Sequence, residues 1–501
     1  MNPAYASSLG GGRFDPRWLP LGVTTLGSFM TILDTNIINI ALPEILKHFN
    51  SSLSNGQLVI TAYVMTLAIV VPLSGFLAER VGMKRLYMIT VGFFTLGSTL
   101  CGLSWNVESL IFFRALQGLG GGMLQPLGMA LMFTMITPIE RPKFFALLGI
   151  PNLLAPLVGP SLGGYIVEYS SWRMIFLINV PVGLLNLVLA IRLLKETPLK
   201  SESKLDLRGF AFAALAFPSL LLGMSRGADL GWDSPFVLGL IGVGFTALGA
   251  FIYTELRHHD PMLRLRLFSI PTFRLALFVQ WIGIFSLFGL NVVIPLFLQR
   301  VHGMGPAEAG QVLLPMGFVA FITMNVAGRL YNNLGPKPIV VFGLAVLTVV
   351  TFLWSYVHAG TSTWVLMLLV SGRGLGLGCF GQIVQVAAFN TVPDGQMPRA
   401  TALVNVCQRI TTAFSTAVLT SILVIGLTWT SAPAGTSIAA GTAPIADMEQ
   451  TFRYAFYLMT ALSIAGIGLA LFLRDKVQEQ EQERRRDTPV SESPAEGQAA
   501  S

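Results

Sequence analysis

Charge is what this chain has least of. Asp, Glu, Lys and Arg together make up 11% of its 501 residues, against roughly 25% in an ordinary soluble domain. With 53% of the residues hydrophobic, a soluble fold could not hide the apolar surface. Cysteine is nearly absent too: Cys101, Cys379 and Cys407 form an odd set without metal-ligand spacing, which excludes a zinc site and a disulfide framework. Each lies in an apolar run and reads as a small buried hydrophobe. The glycines from Gly118 to Gly122 follow no strand and precede no Lys-Ser/Thr, so they are not a nucleotide loop and ATP is not the expected driving force. No nucleophile-base pair or metal-ligand cluster lies at one depth, so no enzyme is expected. The net charge of +7 invites a nucleic-acid reading, but the basic residues sit in short gaps between apolar runs rather than on one face.

What the chain does have is apolar runs of the length needed to cross roughly 30 Å of hydrocarbon at about 1.5 Å per residue. They predict six spans near 18–43, 55–78, 86–105, 108–136, 143–168 and 173–194, then two near 207–226 and 235–256. Six more follow near 272–299, 307–331, 338–357, 363–391, 400–428 and 452–473. Fourteen is even, so both termini share a side. Placing them in the cytoplasm puts 24 of the 32 Lys and Arg there, the excess that cytoplasmic loops carry. The apolar stretch after the polar tail of residues 1–17 is too long for a signal-peptide core, so the first helix is expected to stay. The polar end, residues 475–501, reads as a disordered cytoplasmic tail.

The second six-span block echoes the first. Gly75, Leu77, Gly82 and Lys84 reappear 253 positions later as Gly328, Leu330, Gly335 and Lys337. Gly56-Gln57 matches Gly310-Gln311 at offset 254, and Asn39 with Pro43 matches Asn291 with Pro295 at offset 252. A repeat of this kind predicts two six-helix bundles, 18–195 and 272–474, joined through an extra helix pair at 207–257. The expected site lies between the bundles near the midplane, with access alternating as one rocks against the other.

Several motifs within this frame resemble the major facilitator superfamily, specifically its fourteen-helix drug:proton antiporter branch, the EmrB/QacA-like exporters. The stretch GFLAERVGMKR, Gly75 to Arg85, resembles the superfamily's loop signature between helices 2 and 3. Gly75 and Gly82 allow close approach and a tight turn, and Arg80, Lys84 and Arg85 anchor the loop. Glu79 stands where the family usually has Asp, and a carboxylate there favours one bundle arrangement by meeting a neighbouring helix N-terminus. LDTNIINIALP in the first span resembles the branch's helix 1 signature, with Asp34 as its carboxylate. An Asp at that depth costs about 2.5–3.5 kcal/mol on insertion scales, so its presence argues for a paired or water-lined site. LIFFRALQGLGGGM resembles the helix 4 motif in which an intramembrane arginine, here Arg114, is linked to proton transfer. Asp34 lies about 24 Å along its helix and Arg114 about 9 Å below the opposite start of helix 4, so the two can meet. LLAPLVGPSLGGYI in helix 5 resembles the antiporter motif, through Pro156, Gly159, Pro160, Gly163 and Gly164. WRMIFLINVPVG also matches the branch, with Trp172 and Arg173 suited to the outer interface.

The second half is less explicit: its repeat loop has Asn332 in place of the acid. Arg373 and Arg409 are intramembrane cations without an evident partner, and Arg409 resembles a recurrent family position. Asn36, Asn39, Gln57, Gln125, Asn152, Gln280 and Asn291 are candidates to face a substrate cavity with Arg409, interhelical hydrogen bonding being the competing use. The resemblance implies an all-α multi-pass protein of the cell membrane that exports a lipophilic compound, cations among the candidates, in exchange for protons. It implies no cofactor, no metal and no nucleic acid, and it allows a periplasmic adaptor in cells with two membranes. An exporter of an endogenous amphiphile such as a fatty acid, and a transport-incompetent sensor on the same scaffold, remain open alternatives.

Overall fold

A chain with no water around it must satisfy its own N–H and C=O groups, and an apolar run does this alone only as a helix. The computed structural model describes residues 18–51, 53–136, 140–141, 155, 158–159, 162–196, 206–393, 395–427, 430 and 443–473. In chain order the described helices are α1 (Trp18–His48), α2 (Leu53–Val81), α3 (Met83–Gly102), α4 (Val107–Met135), α5 (Met174–Leu177), α6 (Asn179–Leu193), α7 (Leu207–Leu230) and α8 (Pro235–Arg257). After a short 3-10 turn (Leu265–Ser269) come α9 (Pro271–Arg300), α10 (Pro306–Leu334), α11 (Pro336–Trp354), α12 (Thr363–Phe389), α13 (Met397–Gly426) and α14 (Ile445–Ala470). The fifth predicted span falls mostly outside the described residues, with helical backbone described at 158–159 and 162–169. Both predicted tails lie outside the description as well.

The departures from the sequence reading have local causes. The sixth span divides after Leu177 because Pro181 has no N–H to donate to the Leu177 carbonyl. The last helix starts at Ile445 rather than near 452, since Asp447, Glu449 and Arg453 mark a loop by charge yet sit in its first turns. Pro43 lies inside α1, which runs on to His48. Trp172, expected at the outer interface, is buried, with the Arg173 guanidinium 4.5 Å from its ring centroid.

By length and composition, ten of the described helical stretches are apolar enough to cross a membrane. Helices α3, α4 and α13 fall short: α3 opens on Lys84 and Arg85, and in the other two part of the polarity is satisfied inside the protein. Most of α4, including Arg114, Gln117 and its glycines, is buried against other helices. In α13 the hydroxyls of Thr411, Thr416 and Thr420 donate to the carbonyls of Cys407, Thr412 and Thr416 of the same helix, so their polarity is cancelled locally.

The same packing pattern occurs twice. Helices α2 and α3 flank α4, while α1 lies against α4 and α6; likewise α10 and α11 flank α12, while α9 lies against α12 and α14. The repeat extends to the turns: Gly82 (φ 95°) caps α3 and Gly335 (φ 80°) caps α11, a left-handed backbone that glycine adopts without steric cost. Helices α7 and α8 pack on each other, and α7 lies in the seam between α2 and α13.

Glycine sets the spacing of several of these pairs. A Cβ on Gly378 of α12 would lie 2.7 Å from the Ala320 carbonyl oxygen and 2.8 Å from the Met324 nitrogen of α10, and backbone cannot step aside as a side chain can. Gly378→Val is expected to destabilise the protein towards the upper end of the about 1–3 kcal/mol typical of overpacking. Gly310→Ala, with nothing within 4 Å, should cost nothing. Denaturant titration in detergent distinguishes the two.

Candidate functional site

Two polar clusters are set into this apolar frame, one deep in the first half and one where the halves meet at the α2–α3 end. The deep cluster centres on Asp34, which is 4% exposed, and Arg114, which is fully buried. Arg114 Nη1 donates to Asp34 Oδ2 at 2.7 Å and to Gln117 Oε1 at 2.8 Å. Gln117 Nε2 and Asn179 Nδ2 donate to Asp34 Oδ1 at 2.9 and 3.1 Å. Asn179 also donates to Ser98 Oγ at 3.0 Å, so the cluster draws on α1, α3, α4 and α6. The Tyr63 ring of α2 lies under the guanidinium, 4.2 Å from its carbon, a cation–π contact that adds to the pairing.

The local sequence explains this convergence. Gln117 follows Arg114 by three residues, the spacing that places two side chains on one helix face. Asn179 opens α6 at the break that Pro181 produces. Asp34 and Arg114 were expected to reach each other from their depths; Gln117, Asn179, Ser98 and Tyr63 were missed. The i,i+3 spacing could have found Gln117, and no linear signal marks the others.

Both Asp34 oxygens are occupied, and Arg114 Nη2 is buried without a hydrogen-bond partner. Adding a proton to Asp34 would remove the charge that holds Arg114, and a buried guanidinium without a counter-charge is costly.

The second cluster is built on Arg399, near the start of α13 and 1% exposed along its side chain. Its Nη2 meets Glu79 Oε2 of α2 at 2.8 Å, and its Nη1 meets Asp260 Oδ1 at 2.5 Å and the Pro261 carbonyl at 2.6 Å. Gly75 permits the approach: a Cβ there would lie 2.8 Å from the Arg399 Cα. The expected meeting of Glu79 with a helix N-terminus thus takes the form of an ion pair in the first turn of α13. Nearby, Arg141 Nη1 donates to Asn390 Oδ1 at 2.8 Å and the rings of Phe133 and Phe389 lie 4.6 Å apart. The two halves are closed against each other at this end. The rest of the loop is pinned to the end of α6: Lys84 Nζ donates to the Ile191 carbonyl at 2.7 Å and Arg85 lies 3.4 Å from Glu196. Arg80 is exposed and Gly82 supplies the turn.

The other predicted residues are more scattered. Pro156, Pro160 and Asn152 lie outside the described residues, as do the side chains of Asn39 and Gln57. Gly159 and Gly163 face Asn36 and Ile37 of α1, while Gly164 has nothing within 4 Å. Asn36 donates to the Ile32 carbonyl of its own helix at 2.6 Å. Gln125 is half-buried and Gln280 is buried with its Oε1 unpartnered. Arg373 Nη2 donates to the Leu287 carbonyl at 3.0 Å and to Asn291 Oδ1 at 3.4 Å. Arg409 is half-buried on α13 with a buried, unpartnered Nε. No group of three or more His, Cys, Asp or Glu that could hold a metal occurs among the described residues.

Comparison with known proteins fits this geometry. Residues 24–416 match the model of the Major Facilitator Superfamily. The chain belongs to that superfamily, a family of membrane transporters rather than enzymes. It is 32% identical over 400 residues to the uncharacterized MFS-type transporter YhcA of Bacillus subtilis (strain 168), covering 80% of this chain and 75% of that one. It is 32% identical over 408 residues to the multidrug resistance protein B homolog of Mycobacterium tuberculosis, covering 80% and 75%. It is 30% identical over 405 residues to the putative multidrug resistance protein MdtD of Pectobacterium atrosepticum, covering 80% and 86%. Among solved structures, that of the human organic anion transporter MFSD10 (TETRAN) superposes with a TM-score of 0.65 at 16% identity, over 91% of this chain and 99% of that one. This last likeness concerns the fold.

Proposed function

We propose that this chain is a fourteen-helix, EmrB/QacA-like member of its superfamily and exports lipophilic toxic compounds or drugs from the cell in exchange for protons. The observation that carries the reading is the Asp34–Arg114 pair, buried among apolar helices and shared with Gln117 and Asn179. A titratable group at such depth, wired to four helices, suits a proton site whose occupancy biases a conformational equilibrium. Relatives named as multidrug resistance proteins favour export of toxic compounds. In this reading residues 18–195 and 272–474 are the rocking bundles and 207–257 the linking pair. Both termini and the α2–α3 loop are cytoplasmic, the cell membrane is the location, and the proton gradient is the only energy source.

The cycle follows from the two clusters. With the Arg399 contacts made, the cytoplasmic end is shut; proton uptake by Asp34 releases Arg114 and loosens α1, α3, α4 and α6 against one another. Release of the cytoplasmic contacts then exposes the site to the cell interior, where substrate displaces the proton.

Substrate-induced proton release from protein reconstituted in liposomes tests this reading. Wild type should release protons on addition of a transported compound, and Asp34→Asn should release none while still binding it. Full release by Asp34→Asn would move the coupling site elsewhere. Binding without any proton-dependent flux in wild type would favour the sensor.

A further inference from the structure

The linking pair buries two acidic side chains that neither polar cluster uses. Asp206, at the start of α7, is 4% exposed, and Glu255, in the last turn of α8, is 3% exposed. Among the described residues no Lys, Arg or His lies within ion-pair distance of either. Asp206 Oδ1 accepts the Gly209 N–H at 2.9 Å and caps α7, but Oδ2 is buried with no hydrogen-bond partner. Glu255 Oε1 accepts the Met262 N–H at 3.2 Å and Oε2 the Leu263 N–H at 3.0 Å. The two carboxyls face one point: a Cβ on Gly209 would lie 2.5 Å from Asp206 Oδ2 and 3.1 Å from Glu255 Oε1.

Two carboxylates sharing one buried place do not both hold a charge without a large cost, and a single proton between them relieves it. A proton on Asp206 Oδ2, donated to Glu255 Oε1, also supplies the missing hydrogen bond, since the other three oxygens already accept amides. The place of the pair gives it leverage. Glu255 holds the backbone of the loop after α8, and that loop delivers Asp260 Oδ1 and the Pro261 carbonyl to Arg399. The other charged or titratable groups are Arg399 of α13, whose charge reaches Glu255, Glu79 of α2 paired with it, and His258, whose Nδ1 accepts the Asp260 N–H at 3.2 Å. Arg208 and Arg257, beside the pair in sequence, are exposed.

We propose that Asp206 and Glu255 form a binding site for one proton, separate from Asp34, whose occupancy fixes the loop after α8 and keeps Arg399 latched. Loss of the proton leaves two adjacent charges that drive the start of α7 from the end of α8 and carry Asp260 away with the loop. The closed form then binds one proton more than the open form, so it is favoured as pH falls and weakens as pH rises. His258 acts in the opposite sense, because its protonation removes the acceptor of the Asp260 N–H. Within the exporter reading above, on which this role rests, an acidified cytoplasm keeps the inner end shut and limits further proton entry.

Hydrogen–deuterium exchange of the full chain in nanodiscs, without substrate or gradient, is the test. Rates over residues 75–82 and 397–405 are divided by the intrinsic rates at the same pH. Wild-type protection is expected to fall at least about tenfold between about pH 6 and about pH 8.5, within the tenfold per pH unit that one linked proton allows. Asp206→Asn keeps the cap through its oxygen and puts an amide donor where the proton sits, so its protection should stay high and change less than about threefold over the same range. Glu255→Gln, whose amide can donate to Asp206 Oδ2, should flatten the dependence as well. An infrared band of a protonated carboxyl should be present at neutral pH in wild type and missing its Asp206 share in Asp206→Asn. Constant protection in wild type, the wild-type dependence in Asp206→Asn, low protection of that variant at both pH values, or an unchanged infrared band overturns the proposal. Loss of the dependence in His258→Gln overturns it too, by assigning the titration to that ring. Liposome flux separates the two readings: the expected titration without proton-coupled flux overturns the exporter alone, and proton-coupled flux with constant protection overturns the second proton site alone.

Discussion

Arg114→Leu is expected to lower the stability of the protein by about 3–5 kcal/mol, the range for breaking a buried ion pair from one side, and to abolish proton-coupled exchange. The loss arises from Asp34, left buried with its charge and held only by the amides of Gln117 and Asn179. Neutralising both partners together, as Asp34→Asn with Arg114→Gln, should recover most of the stability, because no charge is then stranded. The double variant should still fail to exchange protons. Denaturation in detergent measures the first quantity and liposome flux the second. A single variant as stable as wild type would show that water or another group takes over the role of Arg114.

The second large effect is expected at Arg399. Arg399→Gln removes the ion pairs that join α13 to Glu79 and to Asp260, and should shift the equilibrium towards the form open at the α2–α3 end by at least tenfold, or about 1.4 kcal/mol. This is well below the usual cost of breaking a buried pair, because Asp260 is part-exposed and water replaces some of what is lost. Glu79→Gln should act in the same direction but more weakly, since Asp260 still holds the arginine. Hydrogen–deuterium exchange over residues 75–82 and 397–405 reads the shift as faster uptake. Unchanged uptake in Arg399→Gln would mean that the Phe133–Phe389 and Arg141–Asn390 contacts keep this end shut without it.

The sequence disclosed most of the helices and one of the two clusters, for identifiable reasons. Apolar length is a local property, so spans could be read directly, and a fixed offset between distant glycines revealed the doubled design. Asp34 and Arg114 could be matched because depth along a straight helix is arithmetic on residue number. Arg399 and Asp260 could not: one sits in the first turn of a helix rich in threonine, the other in a loop, and 139 positions separate them. Rotation about a helix axis was equally hidden, since a few degrees decide whether Asn36 faces a cavity or its own backbone. The break at Pro181 was legible in principle, but the use made of Asn179 beside it depends on three other helices.

The threonines of α13 have a mechanical consequence. Because Thr411, Thr416 and Thr420 spend their donors within the helix, these side chains give a neighbouring helix no directional bond to break when it moves. Asn405 reaches Met129 of α4 only through a weak contact to sulfur at 3.6 Å. Ser415 Oγ donates to the Phe285 carbonyl of α9 and Trp232 Nε1 donates to Ser421 Oγ, bonds within its own half and to the linking pair; towards the first half, the strong contacts of α13 are concentrated at one end, at Arg399. In the proposed cycle such a helix would act as a bolt with a catch rather than as a glued joint, its travel cheap and the timing of each turnover set where the catch lets go.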